Sequence, residues 1–113
     1  MKKIECFIRP EKLQPVKDAL SEIGIKGMSI YEVRGHGNQG GMWLTGRSGN
    51  YCVPWIDKLK LEIVVNNNVN LDGIIDTIIE NSKTGKQGDG KIFITPVEEA
   101  IRIRTKEKGE EII

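Results

Sequence analysis

An α+β domain, with two helices covering one face of a four-stranded antiparallel sheet, is predicted by three observations. Apolar residues recur with period two over residues 3–8, 28–35, 58–65 and 91–95. They recur at helical spacing in two intervening stretches, Val16/Ala19/Leu20/Ile23 and Leu71/Ile74/Ile75/Ile78/Ile79. The order that results is strand, helix, strand, strand, helix, strand, which is the βαββαβ arrangement known as ferredoxin-like.

Each element has its own local cause. In the first strand Ile4, Cys6 and Ile8 alternate with Lys3, Glu5 and Phe7, so one face is apolar. Pro10 and Pro15 frame the start of the first helix, with Pro15 suited to its first position, and Gly24 stops it. The second strand sets Met28 and Ile30 against Ser29, Tyr31 and Val33. Between Gly35 and Trp55 neither period survives and glycines concentrate, which predicts a long, mobile loop; its Met42, Trp43, Leu44 and Tyr51 are residue types that meet partners. Leu59, Leu61, Ile63 and Val65 alternate with Lys58, Lys60, Glu62 and Val64 in the clearest strand of the chain. Asn70 caps the second helix, which ends near Ser82. A short strand over 91–95 follows, then a strand-like alternation of Ile101 and Ile103 with Arg102 and Arg104, and a solvated end over 106–111. Phe7, Tyr31, Val33, Val64 and Phe93 fall on the sheet face that the helices leave open, which predicts that subunits associate there.

Composition narrows the function. The chain has 113 residues, 17 Lys plus Arg against 16 Asp plus Glu, and a formal net charge of +1, so no overall field favours nucleic acid or an anionic membrane. One core fits this length, hence a single domain over 1–113. No apolar run approaches the roughly 20 residues that span a bilayer, and Met1-Lys2-Lys3-Ile4-Glu5 has no apolar signal core, so a cytoplasmic location is expected. Cys6 and Cys52 do not form a CxxC pair and are read as reduced thiols, with Cys6 in the core. His36 is the only histidine, which leaves little for hydrolase or multi-histidine metal chemistry.

Two glycine patterns imitate nucleotide fingerprints. Residues 35–40 fit GxGxxG, but no helix follows to receive a pyrophosphate; residues 85–91 fit GxxxxGK, but Ile92 stands where a hydroxyl is needed and the loop runs from helix to strand. What survives is an anion-binding concavity at Gly85, Gly88 and Gly90, with charge from Lys86 and Lys91. Arg102 and Arg104, two apart on a strand, point to one side and suit a phosphate.

The run from Thr84 to Ile94, with Ile101-Arg102-Ile103-Arg104-Thr105 after it, resembles the C-terminal signature of the PII nitrogen-regulatory proteins. The resemblance extends through Met1-Lys2-Lys3-Ile4, Arg9-Pro10, Gly24-Ile25, Gly27-Met28, Val33-Arg34-Gly35 and residues 60–65 to nearly the whole chain. It implies a homotrimer whose three intersubunit clefts bind ATP or ADP, and a T-loop, about 36–55, that docks on an ammonium channel or a nitrogen-metabolism enzyme. A phosphate-binding B-loop would span about 83–91 and a C-terminal segment about 101–113. The nucleotide would be held by Gly27, Met28, Ser29, Gly35, Gly37, Asn38, Gln39, Glu62, Val64, Gly85, Lys86, Gly88, Asp89, Gly90 and Lys91, with Arg102 and Arg104 from the neighbouring subunit. Gln39 would hold Mg²⁺ with ATP, and 2-oxoglutarate would bind beside Gln39 and Lys58. Arg47 and Tyr51 match the family's positions for plugging a channel and for covalent modification.

The chain departs from the family at Asn38 and Gly40, where basic residues are usual, and around the loop tip, where Gly46-Arg47-Ser48-Gly49-Asn50-Tyr51 lacks the usual acid. The implied protein is a regulator with no turnover of its own; an adenylate-only regulator with a different target is the alternative. A phosphohydrolase has no evident base beyond Asp89, and an RNA-binding sheet needs more than 5% aromatic residues and a basic face.

Overall fold

The computed structural model describes residues 1–36, 42–47, 49–53 and 55–113, with the backbone alone for 42–45 and 51–53. The elements in chain order are β1 (Lys2–Ile8), α1 (Leu13–Glu22), β2 (Ser29–Gly35), β3 (Met42–Gly46), β4 (Gly49–Val53), β5 (Ile56–Val65), α2 (Leu71–Ser82) and β6 (Lys91–Pro96). Four strands form one antiparallel sheet in the order β2-β5-β1-β6, so β1 lies between β5 and β6. This is the ferredoxin-like arrangement.

Alternation decides which face is covered. Ile4, Cys6 and Ile8 of β1 and Leu61, Ile63 and Val65 of β5 meet Val16 and Leu20 of α1 and Ile74 and Ile78 of α2 in one buried cluster. Burial pushes the Cys6 thiol up to about 11, and a hydrogen bond with the Leu61 backbone offsets only part of that rise. Asn70 caps α2 as anticipated, its side chain accepting from the Gly73 N–H at 3.1 Å. Buried Ser82 is satisfied by donating to the Ile78 carbonyl at 2.6 Å.

The other face is bare. Register places Phe7 opposite Lys60 and Lys91, and Tyr31 opposite Lys60, away from the helices. Tyr31 is 44% and Phe93 51% exposed, values that leave aromatic surface in water unless another chain covers it. On this face Phe7 meets Phe93 edge-on at 6.0 Å, and the Lys60 ammonium sits 4.4 Å over the Tyr31 ring.

Four expectations are corrected. The segment after β2 is not structureless: β3 and β4 pair from Met42↔Val53 to Gly46↔Gly49, a hairpin in which exposed Arg47 lies at the turn. Pro15 is the third residue of α1 and not its first, because a short 3-10 turn over Pro10–Lys12 leads in and the first helical turn does not use the missing N–H. The stretch 100–105 is not a strand: only Ile101 bridges, to Lys108, and the chain reverses through Lys106 at φ 62, so the inference that Arg102 and Arg104 share a strand face fails. Finally, residues 106–111 are not simply solvated, since Glu110 reaches the N-terminal ammonium of Met1 at 3.4 Å and Glu110–Ile112 form a 3-10 turn.

Candidate functional site

The loop between α2 and β6 turns on three glycines with positive φ, Gly85 at 86°, Gly88 at 94° and Gly90 at 102°. At Gly90 a side chain is sterically excluded as well, since a Cβ would lie 1.6 Å from the Phe7 carbonyl oxygen. The loop is therefore drawn tight against the end of β1.

Asp89 organises it. Its Oδ2 accepts from the Thr84 and Gly85 N–H groups at 2.8 and 2.9 Å, and its Oδ1 from the Thr84 hydroxyl at 2.6 Å and Arg9 Nε at 3.1 Å. These donors, those of Thr84 foremost, hold the carboxyl far below the usual carboxylate range. Arg9 Nη2 also donates to the Gln87 carbonyl at 2.7 Å, and Lys58 Nζ donates to the Gly88 carbonyl. Burial lowers the Lys58 pKa, and the neighbouring Arg9 charge lowers it further.

In front of this loop lies a cavity of about 640 Å³. The glycine loop from Lys86 to Lys91 forms one wall, Phe7 and Phe93 the floor, and Gly35, His36, Ile56 and Lys58 the far side. His36 stands edge-on to Trp55, 5.7 Å between ring centroids. The volume suits a small-molecule ligand, and the three lysines suit an anionic one. Of the residues expected to bind, the structure thus gathers Gly35, Lys58, Lys86, Gly88, Asp89, Gly90 and Lys91.

A second group sits elsewhere. Ser29 pairs directly with Glu62, and Glu62 and Val64 share the open face with Lys58, but Val64 lies six residues along β5 from Lys58, about 20 Å at strand rise. Gly27 and Met28 precede Ser29 at that same far end. The segment that carries Arg102 and Arg104 is anchored at that end on both sides, since Val97 N–H donates to the Met1 carbonyl and Glu110 holds the Met1 ammonium. Arg102 is paired with Glu107 at 3.0 Å. Gly37, Asn38 and Gln39 lie outside the described residues, as does Gly40, and Tyr51 is placed only by its backbone in β4, opposite Leu44.

The family model described as Nitrogen regulatory protein P-II matches residues 1–107. The chain belongs to this family. It is 52% identical to a nitrogen regulatory protein P-II of Nostoc punctiforme, 52% to one of Haemophilus influenzae and 47% to one of Azospirillum brasilense, in each case over the full length of both chains. P-II proteins are signal-transduction regulators and not enzymes. Among the described residues no helix is long and apolar enough to cross a membrane.

Sequence reasoning overlooked Arg9 as a structural part of this P-II chain's glycine loop, and Phe7 and Phe93 as the cavity floor. Arg9 and Asp89 are 80 residues apart, so no local pattern links them. The available signal was the alternation that put Phe7 and Phe93 on the open face.

Proposed function

We propose that the chain is a nitrogen-regulatory transducer that binds ATP or ADP in clefts between the subunits of a homotrimer. The observation that carries this reading is the division of the expected ligand residues into two groups, about 13 to 20 Å from Lys58 to Glu62 and Val64, on one open sheet face. No single subunit joins them, whereas a second copy docking its Met1 end against the glycine loop of the first completes one site. The glycine loop of one subunit, with Lys86 and Lys91, takes the phosphates, and Gly35, Gly37, Asn38 and Gln39 of that subunit lie at the loop root; Gly27, Met28, Ser29, Glu62 and Val64 of the neighbouring copy enclose the base and ribose. Arg102 and Arg104 reach the phosphates from the neighbouring copy, once an anion offsets the lysines already present.

Mg²⁺, when bound, neutralises phosphate charge. Asp89 is the one carboxylate among the described cavity residues, and its oxygens are already bonded to Arg9, Thr84 and Gly85; by the family resemblance, Gln39 would hold the metal together with the phosphates. 2-Oxoglutarate binds beside Gln39 and Lys58. Ligand at the root of the T-loop, which contains the β3–β4 hairpin, shifts that loop between forms that dock on an ammonium channel or a nitrogen-metabolism enzyme and forms that do not. In this reading Arg47 touches such a target, and Tyr51 is the modification site.

The second reading is the adenylate-only one: one of the three Lys58 N–H donors is already given to the Gly88 carbonyl, which leaves two for a dicarboxylate. Calorimetric titration of ATP and ADP with Mg²⁺, with and without 2-oxoglutarate, separates the two. Saturable nucleotide binding that 2-oxoglutarate strengthens for ATP supports the full sensor; binding indifferent to 2-oxoglutarate leaves the adenylate regulator; no nucleotide binding overturns both.

A further inference from the structure

We propose that Arg9, which does not line the cavity, sets its affinity for anionic ligands by positioning and neutralising the glycine loop from behind. The inference rests on the nucleotide reading above and adds a residue to it.

Two effects act through separate atoms. The peptide group between Gln87 and Gly88 is planar and trans, so its C=O and N–H point in opposite directions. Arg9 Nη2, from a residue that does not line the cavity, holds the Gln87 carbonyl at 2.7 Å, and the Gly88 N–H, on the opposite side of the same peptide, is thereby fixed in a residue that does line it. Among the described residues that N–H has no partner, which leaves it available to a ligand oxygen. Gly88, at φ 94, can hold this orientation without strain.

The second effect is charge. Asp89 lines the cavity, and a bare carboxylate there would repel phosphate. Thr84 and Gly85 satisfy its lone pairs but carry no net charge; Arg9 Nε, at 3.1 Å, supplies the one full positive charge bonded to it. Arg9 is held by both bonds at once, and its planar fork is what allows one side chain to reach a carboxylate and a carbonyl together. Both partners are three-quarters covered, so the pair is little screened by solvent.

The two effects predict a dependence on ligand charge that loss of loop structure alone would not produce. In R9Q, with fold and assembly checked by thermal melting and light scattering, ATP affinity by calorimetry is expected to fall about tenfold or more and ADP affinity by a smaller factor, about threefold. R9K, which keeps the charge without the fork, is expected to weaken both nucleotides by a similar factor of about three. Equal losses for ATP and ADP in R9Q, or affinities unchanged from the parent, overturn the inference while leaving the nucleotide site standing. Should R9Q not fold, R9K carries the test, and R9K binding within twofold of the parent overturns it. Failure of the unaltered protein to bind either nucleotide overturns the underlying reading and this inference with it.

Discussion

Gly90 shows how one atom's worth of space governs the loop. Its φ of 102° and the Phe7 carbonyl 1.6 Å from where a Cβ would stand act together, so G90A must displace either the loop or the end of β1. Urea denaturation is expected to show a loss of at least about 2 kcal/mol. Gly85 is the control: it shares the positive φ but has nothing within 4 Å, so G85A is expected to cost only about 1 kcal/mol. Cys6 yields a different kind of residue-scale prediction. Folding favours its neutral thiol, whose pKa is about 11 against 9.0 in the unfolded chain, so its contribution is intact below about pH 9 and disappears as pH rises through 11. In a C52S background, where Cys6 alone reports, roughly 2–3 kcal/mol of stability is expected to be lost across that range relative to C6A/C52S, by denaturant titration at each pH. Alkylation of Cys6 at pH 8 should likewise wait on unfolding.

Elements whose cause is local were legible, and those whose cause is distant were not. Helix α2 was read with both ends correct because Asn70 caps it and five apolar residues repeat along it. Its cap can be tested with a coupled pair. N70A is expected to cost about 1 kcal/mol, and G73A, which elsewhere in a helix interior gains about that much, is expected to gain less while Asn70 is present, because the new Cβ would lie 2.7 Å from the Asn70 amide. Thermal melts of the two single variants and the double close the cycle. The hairpin of β3 and β4 was missed because its strands are five residues each and glycine-bounded, so pairing between them, and not an apolar alternation, defines them. The stretch 100–105 was misread for the converse reason: it alternates, but Arg102 N–H donates to the Glu107 carbonyl at 2.8 Å, closing a tight loop in place of a strand. At the candidate site the glycines and lysines were readable from spacing, while the Arg9–Asp89 contact that shapes the loop depends on chain closure across the whole fold.

At the scale of the whole molecule the open sheet face and the C-terminal segment carry apolar side chains that this chain does not cover. Tyr31 and Phe93 are about half exposed on that face, and Ile103 is 97% exposed in the segment that carries Arg102 and Arg104. If one site is assembled from the glycine loop of one subunit and the far end of another, then damage to the two groups can be placed on different chains. K91A removes a loop cation, and R102A/R104A removes the far-end cations; each variant alone is expected to bind ATP at least about tenfold more weakly. Denatured together in equal amounts and refolded as mixed trimers, the two would leave about a quarter of the clefts with both groups intact, because an unaltered loop and an unaltered neighbour each occur half the time. Calorimetry on the mixture should then recover tight binding with a stoichiometry near one quarter of the parent's. A site contained within one subunit predicts no recovery at all, since every chain in the mixture carries one defect, and that result would end the shared-cleft reading whatever the oligomeric state.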